Sequence, residues 1–236
     1  MAVDDAYTKS LLHFDGADTS TTFTDESGKT WTARGTAQID TAQSVFGGAS
    51  GLFDGNSDWV DTPDHDDWQL DGGSNSNLWT VDFRTRFNGD PGASKRPFFQ
   101  QYVDNNNAMW FFLDDGVILN FQVTSGGADI IRIENAWNPA GDTWYHIALV
   151  KDGVNGYMVF VNGTQIGSTQ TDTSTIPNLS AILEIGRRIS AGGTIYLNGW
   201  MDEVRFSKGI ARWTSNFTPP TKAYSPSFIP HFLNII

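Results

Sequence analysis

The segment Trp79-Thr80-Val81-Asp82-Phe83-Arg84-Thr85-Arg86-Phe87 alternates apolar and polar residues almost without fault. A β-strand turns successive side chains to opposite faces, so Trp79, Val81, Phe83 and Phe87 line one side while Thr80, Asp82, Arg84 and Arg86 line the other. A helix would scatter the same residues around its axis. The spacing therefore predicts a half-buried strand over 79–87, ended by Asn88-Gly89. Short apolar runs follow at 97–103, 109–114 and 117–123, the last two divided by Asp115-Gly116, and a meander of antiparallel hairpins accounts for them.

The runs 144–151 and 157–161 are apolar on both faces, as expected of strands in the middle of a sandwich. Asn162-Gly163 is a tight-turn pair that tolerates positive φ, so 164–167 is predicted to return beside 157–161. Late strands are expected at 181–186 and 194–206, the second bent at Asn198-Gly199, and early ones at 11–15, 51–53 and 59–60. The chain has 236 residues, of which 39% are hydrophobic, 18% charged and 24 are glycine. A β-sandwich of this size forms undivided, so one all-β domain is predicted: an antiparallel two-sheet β-sandwich over residues 1–225, followed by an apolar tail, 226–236.

Fifteen basic residues against 27 acidic ones leave a formal charge of −12, which opposes association with nucleic acid. With no cysteine, neither a disulfide nor a thiolate metal site is available. Residues 1–10 contain acidic groups and no apolar core, and nothing approaches the roughly 20 apolar residues of a membrane span. The expectation is a soluble protein made in a cytoplasm without a signal peptide.

Several phrases occur in a fixed order: Leu12-His13-Phe14-Asp15-Gly16, Asp25-Glu26-Ser27-Gly28, Phe46-Gly47-Gly48-Ala49-Ser50, Trp144-Tyr145-His146-Ile147-Ala148, Val161-Asn162-Gly163, Leu183-Glu184-Ile185-Gly186-Arg187 and Met201-Asp202-Glu203-Val204-Arg205. Together they resemble the laminin-G-like subgroup of the concanavalin A-like lectin and glucanase superfamily, which implies a jelly roll. Ala211-Arg212-Trp213 and Phe217-Thr218-Pro219-Pro220 resemble in particular the versions found in tailed-phage structural proteins. That resemblance implies a location in a phage particle. The role expected there is a non-catalytic binding or decoration module that recognises host-surface glycans. The alternative is a purely structural capsid or tail decoration subunit bound to other virion proteins. Homo-oligomers, trimers among them, are common in such assemblies.

Glucanases on this scaffold use glutamates two or four residues apart on one strand, and that motif is absent: Glu26, Glu134, Glu184 and Glu203 stand alone. A glycoside hydrolase is accordingly the least favoured reading. Similar jelly rolls hold a structural Ca²⁺ between an early Asp-x-Ser-Gly loop and the Asp of the late Asp-Glu-Val-Arg strand, which maps here to Asp25 and Asp202. The competing reading is that Asp25 makes an Asx turn and Asp202 pairs with Arg187 or Arg205. Asp58, Asp61, Asp64, Asp66 and Asp67 gather in one stretch, readable as a cation or polyol site or as an exposed acidic loop. Trp59, Trp68, Tyr102 and Trp110 are flanked by Asp, Asn and Gln, with Asn120 nearby. Flat rings cover the apolar face of a pyranose while amides bind its hydroxyls, so these five are the candidate ligand residues. His146 is expected to be a hydrogen-bonded core histidine.

Overall fold

The computed structural model describes residues 5–153 and 156–225; the apolar tail, 226–236, lies outside the described residues. The amino-terminal half forms β1 (Thr8–Leu12), β2 (Thr32–Arg34), β3 (Gln38–Asp40), β4 (Ser50–Asp54), β5 (Trp59–Thr62), β6 (Trp79–Phe87), β7 (Arg96–Asp104), β8 (Asn107–Asp114) and β9 (Ile118–Ser125). Then follow β10 (Ala128–Ala136), β11 (Trp144–Lys151), β12 (Tyr157–Val161), β13 (Thr164–Gln170), β14 (Leu183–Ile185), β15 (Arg187–Ser190), β16 (Gly193–Tyr196) and β17 (Asn198–Lys208). One sheet has the order β13-β12-β11-β6-β17-β4-β3, with β1 also paired to β17; the other has the order β10-β9-β8-β7-β14-β5-β2. β15 and β16 form a separate hairpin. Every pairing is antiparallel, which gives the two-sheet sandwich expected from the sequence. Among the described residues no helix is long and apolar enough to cross a membrane.

The inner faces meet through aromatic rings. Phe83 on β6 lies 4.9 Å from Phe98 on β7, and Trp79 lies 5.5 Å from Phe121 on β9. Leu149 and Val159 from one sheet and Met109, Leu119 and Val123 from the other complete the same apolar cluster. Truncating a buried ring such as Phe83 to alanine costs about 3–5 kcal/mol, because lost transfer energy and a cavity add together. Asn162 and Gly163 both take positive φ, 49° and 78°, and β13 returns beside β12 as the turn pair predicts.

β6 departs from the half-buried reading, for its polar side is also covered. Thr80 and Asp82 are fully buried because residues 209–225 run across the outer face of this sheet. Trp213 and Phe217 stack at 4.1 Å and pack with Ala211 on Ala148, Val150, Met158 and Phe160. Beneath that segment Arg205 donates twice to Asp82, at 2.9 and 3.2 Å, and Tyr224 donates its hydroxyl proton to the same carboxylate. His146, buried as expected, stands 3.4 Å from it. A bulge on β17 makes this possible: Glu203 adopts φ 52° and the register against β6 shifts between Asp202 and Arg205. Asp202 thereby faces Arg84 and Arg205 faces Asp82.

Candidate functional site

The outer face of the seven-stranded sheet is different in kind. Directly opposed residues in antiparallel strands share a face, and one unbroken row crosses all seven: Arg132–Gln122–Trp110–Gln100–Glu184–Asp61–Thr32. Val60, Leu183, Ile185, Phe111 and Phe121 point inward to the core, which fixes Trp59, Asp61, Glu184, Trp110, Phe112 and Asn120 on the outside. Tyr102, Ala108, Trp110 and Phe112 form a small apolar cluster of their own there.

The β15–β16 hairpin lies over the middle of this face. Gln100 Oε1 accepts from Ile189 N, and Trp110 Nε1 donates to Ile189 O, each at 2.9 Å. Arg187 sits 3.8 Å from the Trp59 ring centre and donates to Glu184, which also accepts from the Gln100 amide. Tyr196 lies 6.0 Å from Trp59. Arg188 lies 4.3 Å from Phe112 and 5.1 Å from Trp110. Burial pushes the Glu184 carboxyl upward from its ordinary range, against the pull of Arg187. Asp61, directly opposite, is held by Arg34 at 2.6 and 3.2 Å and by the Trp59 indole at 3.2 Å.

Four of the five candidate ligand residues therefore share a face, and the hairpin divides them by access. Trp59 and Tyr102 are half-buried beside its flanks, as are Tyr196, Arg187, Arg188 and Gln122. Trp110 is only 4% exposed, its indole proton and ring taken by Ile189 and Arg188, so it serves as the hairpin's anchor rather than an open platform. Asn120 is buried, with its amide nitrogen on Glu134 at 3.1 Å and its oxygen unpartnered. Trp68 is elsewhere, 1% exposed in the main core against Phe206, with its indole proton on Pro63 O at 3.0 Å.

The residues missed by sequence reasoning are Gln100, Glu184, Arg187, Arg188 and Tyr196. The Ala191-Gly192 turn between two short runs, 187–190 and 193–196, was the available signal for the hairpin that brings them in.

The oxygens of Asp25 are not turned to a calcium ion. Asp25 accepts from Ser10 Oγ at 2.5 Å, Ser27 N at 2.6 Å, Trp31 Nε1 at 2.9 Å and Leu11 N at 3.3 Å. A cation needs oxygens turned to it, whereas these are ringed by protons. The Ser27 bond is the Asx-turn geometry allowed by the sequence. Asp202 accepts from Val45 N and Phe46 N at 2.8 and 3.2 Å; its other oxygen has no partner. Burial raises its pKa to about 7, helped by nearby Glu203 and Asp15. Arg187 and Arg205 pair with Glu184 and Asp82 rather than with Asp202. The acidic stretch also disperses: Asp58 binds Thr36 and Asp54 amides while Asp67 pairs with Lys29. Among the described residues, no group of three or more His, Asp or Glu is placed to hold a metal.

A family model described as the concanavalin A-like lectin/glucanases superfamily matches residues 54–212. No curated protein matches the sequence. Among solved structures, Domain 4 of AbnA, a GH43 extracellular arabinanase from Geobacillus stearothermophilus, in complex with arabinotriose, is 20% identical with a TM-score of 0.58; the match covers 88% of this chain and 95% of that one. A receptor binding domain matches at 15% identity and TM-score 0.63, over 86% of this chain and 48% of that chain. The binding domain of botulinum neurotoxin DC in complex with SialylT matches at 14% and 0.61, over 87% and 49%. The chain thus spans about half the length of the last two, and at such identities the likeness is one of fold.

Proposed function

Because the chain belongs to the concanavalin A-like lectin/glucanases superfamily, we propose that it is a non-catalytic carbohydrate-binding module whose ligand lies on the outer face of the seven-stranded sheet, along the flanks of the β15–β16 hairpin. The observation that carries this reading is the convergence of half-open rings, Trp59, Tyr196 and Tyr102, with arginine and amide side chains on one face. Rings stack on the apolar side of a sugar, and the polar groups select its hydroxyls. The structural neighbours in complex with arabinotriose and with SialylT support the same chemistry.

Glu184 and Asp61 are opposed carboxylates on this face, which raises the hydrolase alternative. Each is tied up by its own arginine, Arg187 and Arg34, and a nucleophile or proton donor needs a free oxygen directed at the sugar. The binding reading predicts no release of reducing ends from any polysaccharide that the protein binds. The finer placement, an oligomeric adhesion or decoration module of a phage particle, is part of the proposal and rests on the resemblance of segment 211–220. A decoration subunit would bind virion proteins and no sugar. A glycan array followed by calorimetry on hits separates the two: micromolar to millimolar affinity per site is expected, weakened by Trp59→Ala or Tyr102→Ala, and an array without hits would overturn the carbohydrate reading.

A further inference from the structure

The arginines of this chain are partnered in a consistent way. Arg34, Arg86, Arg132, Arg187, Arg205 and Arg212 each have a carboxylate at ion-pair distance. Arg84 donates to Pro220 O, and Arg96 to the carbonyls of Lys95 and Pro91. Arg188 has neither kind of partner among the described residues. Its one hydrogen bond runs from Nη1 to the Ser190 hydroxyl at 3.2 Å, and its Nε is buried without an acceptor. In a chain with 27 acidic and 15 basic residues, an uncompensated guanidinium is against the trend.

Its setting adds to the argument. Phe112 and Trp110 lie within 4.3 and 5.1 Å of the guanidinium, which holds it on the ligand-facing side of the sheet. Half-buried as it is, its charge is penalised by desolvation, and its pKa falls. Asp129, the nearest acidic influence, is already engaged by Thr124, Gln122 and Arg132. Glu134 is likewise taken by Arg132 and Asn120.

We infer that the saccharide recognised on this face carries a carboxylate, and that Arg188 receives it beside the Trp110 and Phe112 rings. This rests on the carbohydrate reading above and names its ligand class. A planar guanidinium matches a carboxylate through two parallel hydrogen bonds. A polyphosphate backbone is disfavoured by the net charge of −12, which repels extended polyanions but leaves one short-range contact intact.

The test uses the full chain and matched probes: a glycan array of neutral, uronate-bearing and sialate-bearing oligosaccharides, each acid beside its methyl ester, with calorimetry on the hits. The acid is expected to bind at least about tenfold more tightly than its ester, as a charge-assisted contact warrants, and the preference shrinks with added salt. Arg188→Gln brings the acid-to-ester ratio towards one, and Arg188→Lys, which keeps the charge but loses the fork, gives an intermediate ratio. Equal binding of acid and ester by the unmodified protein, or a ratio unchanged in Arg188→Gln, would overturn the inference while leaving the carbohydrate reading intact. An array without any hit would overturn both.

Discussion

The two sheets share one core, yet their outer faces have been finished in opposite ways. On the eight-stranded sheet the segment 209–225 seals the surface. Asp82 lies at its centre, fully buried and bound by Arg205, Tyr224 and His146. On the seven-stranded sheet a four-residue-per-strand hairpin covers only the middle and leaves half-buried rings and an unpaired arginine along its flanks. The fully buried Arg205 and Asp82 neutralise one another beneath segment 209–225, so the first face reads as structure. The half-open second face, with half-buried rings and an arginine that has no carboxylate, is the one to which the proposed binding role is assigned.

The sharpest way to break this contrast is to remove a charge from each face and compare stability. Asp82→Ala leaves Arg205 buried without its carboxylate and is expected to cost about 3–5 kcal/mol in urea denaturation. Arg188→Ala is expected to cost less, about 1–2 kcal/mol, since that side chain has one neutral hydrogen bond and its contacts with Phe112 and Trp110 to lose. Equal costs would show that the hairpin face is as structural as the sealed one.

A second test exploits the sealed side's other acid. The Asp202 carboxyl has a pKa raised from 3.8 to about 7 in the fold, so the native state holds its proton where the unfolded chain has released it. That contribution is fully present below about pH 4 and is lost as the pH climbs through about 7. Asp202→Asn keeps an acceptor for Val45 N and Phe46 N and has no proton to lose. Its stability relative to the unmodified protein is expected to improve by on the order of 3 kcal/mol between pH 4 and pH 8. Parallel pH profiles would contradict the assignment. Asp82 acts in the other direction and in a lower window: the Arg205 charge overcomes burial and holds its carboxyl well below the usual carboxylate range, so its contribution disappears as pH falls below about 4.

The smallest expected effect lies on the open face. Trp59→Ala and Tyr102→Ala are expected to weaken saccharide binding by about tenfold each, the loss of one stacking contact, with little change in the unfolding midpoint. A loss of stability matching that of a core truncation would move these rings from the site into the scaffold.

Much of the sandwich was legible because local pattern and global fold agree. The alternation over 79–87 and the doubly apolar runs at 144–151 and 157–161 became β6, β11 and β12 with the same bounds. What local pattern could not show was long-range covering. Thr80, Asp82 and Arg84 read as a solvent face because nothing nearby in sequence reveals that residues 209–225 cross over them. The run 194–206 read as one bent strand, whereas it divides at Leu197 between β16 and β17. β10 went unread although Ile131 and Ile133 alternate inward. At the site, the rings were recognisable by type, but their access was set by the hairpin. Glu184 and Asp61, 123 positions apart in numbering, meet only through strand register.

The central claim is that ligand binds beside the β15–β16 hairpin and not under the carboxyl-terminal segment, where Asp5, Arg212, Trp213, Pro219 and Pro220 help to line a cavity of about 660 Å³. Titrating isotope-labelled protein with an array-selected oligosaccharide and mapping amide shifts tests it directly. Shifts centred on Trp59, Tyr102, Arg188 and Tyr196 are predicted. Shifts centred on Arg212, Trp213 and Thr218, with the hairpin unmoved, would contradict it.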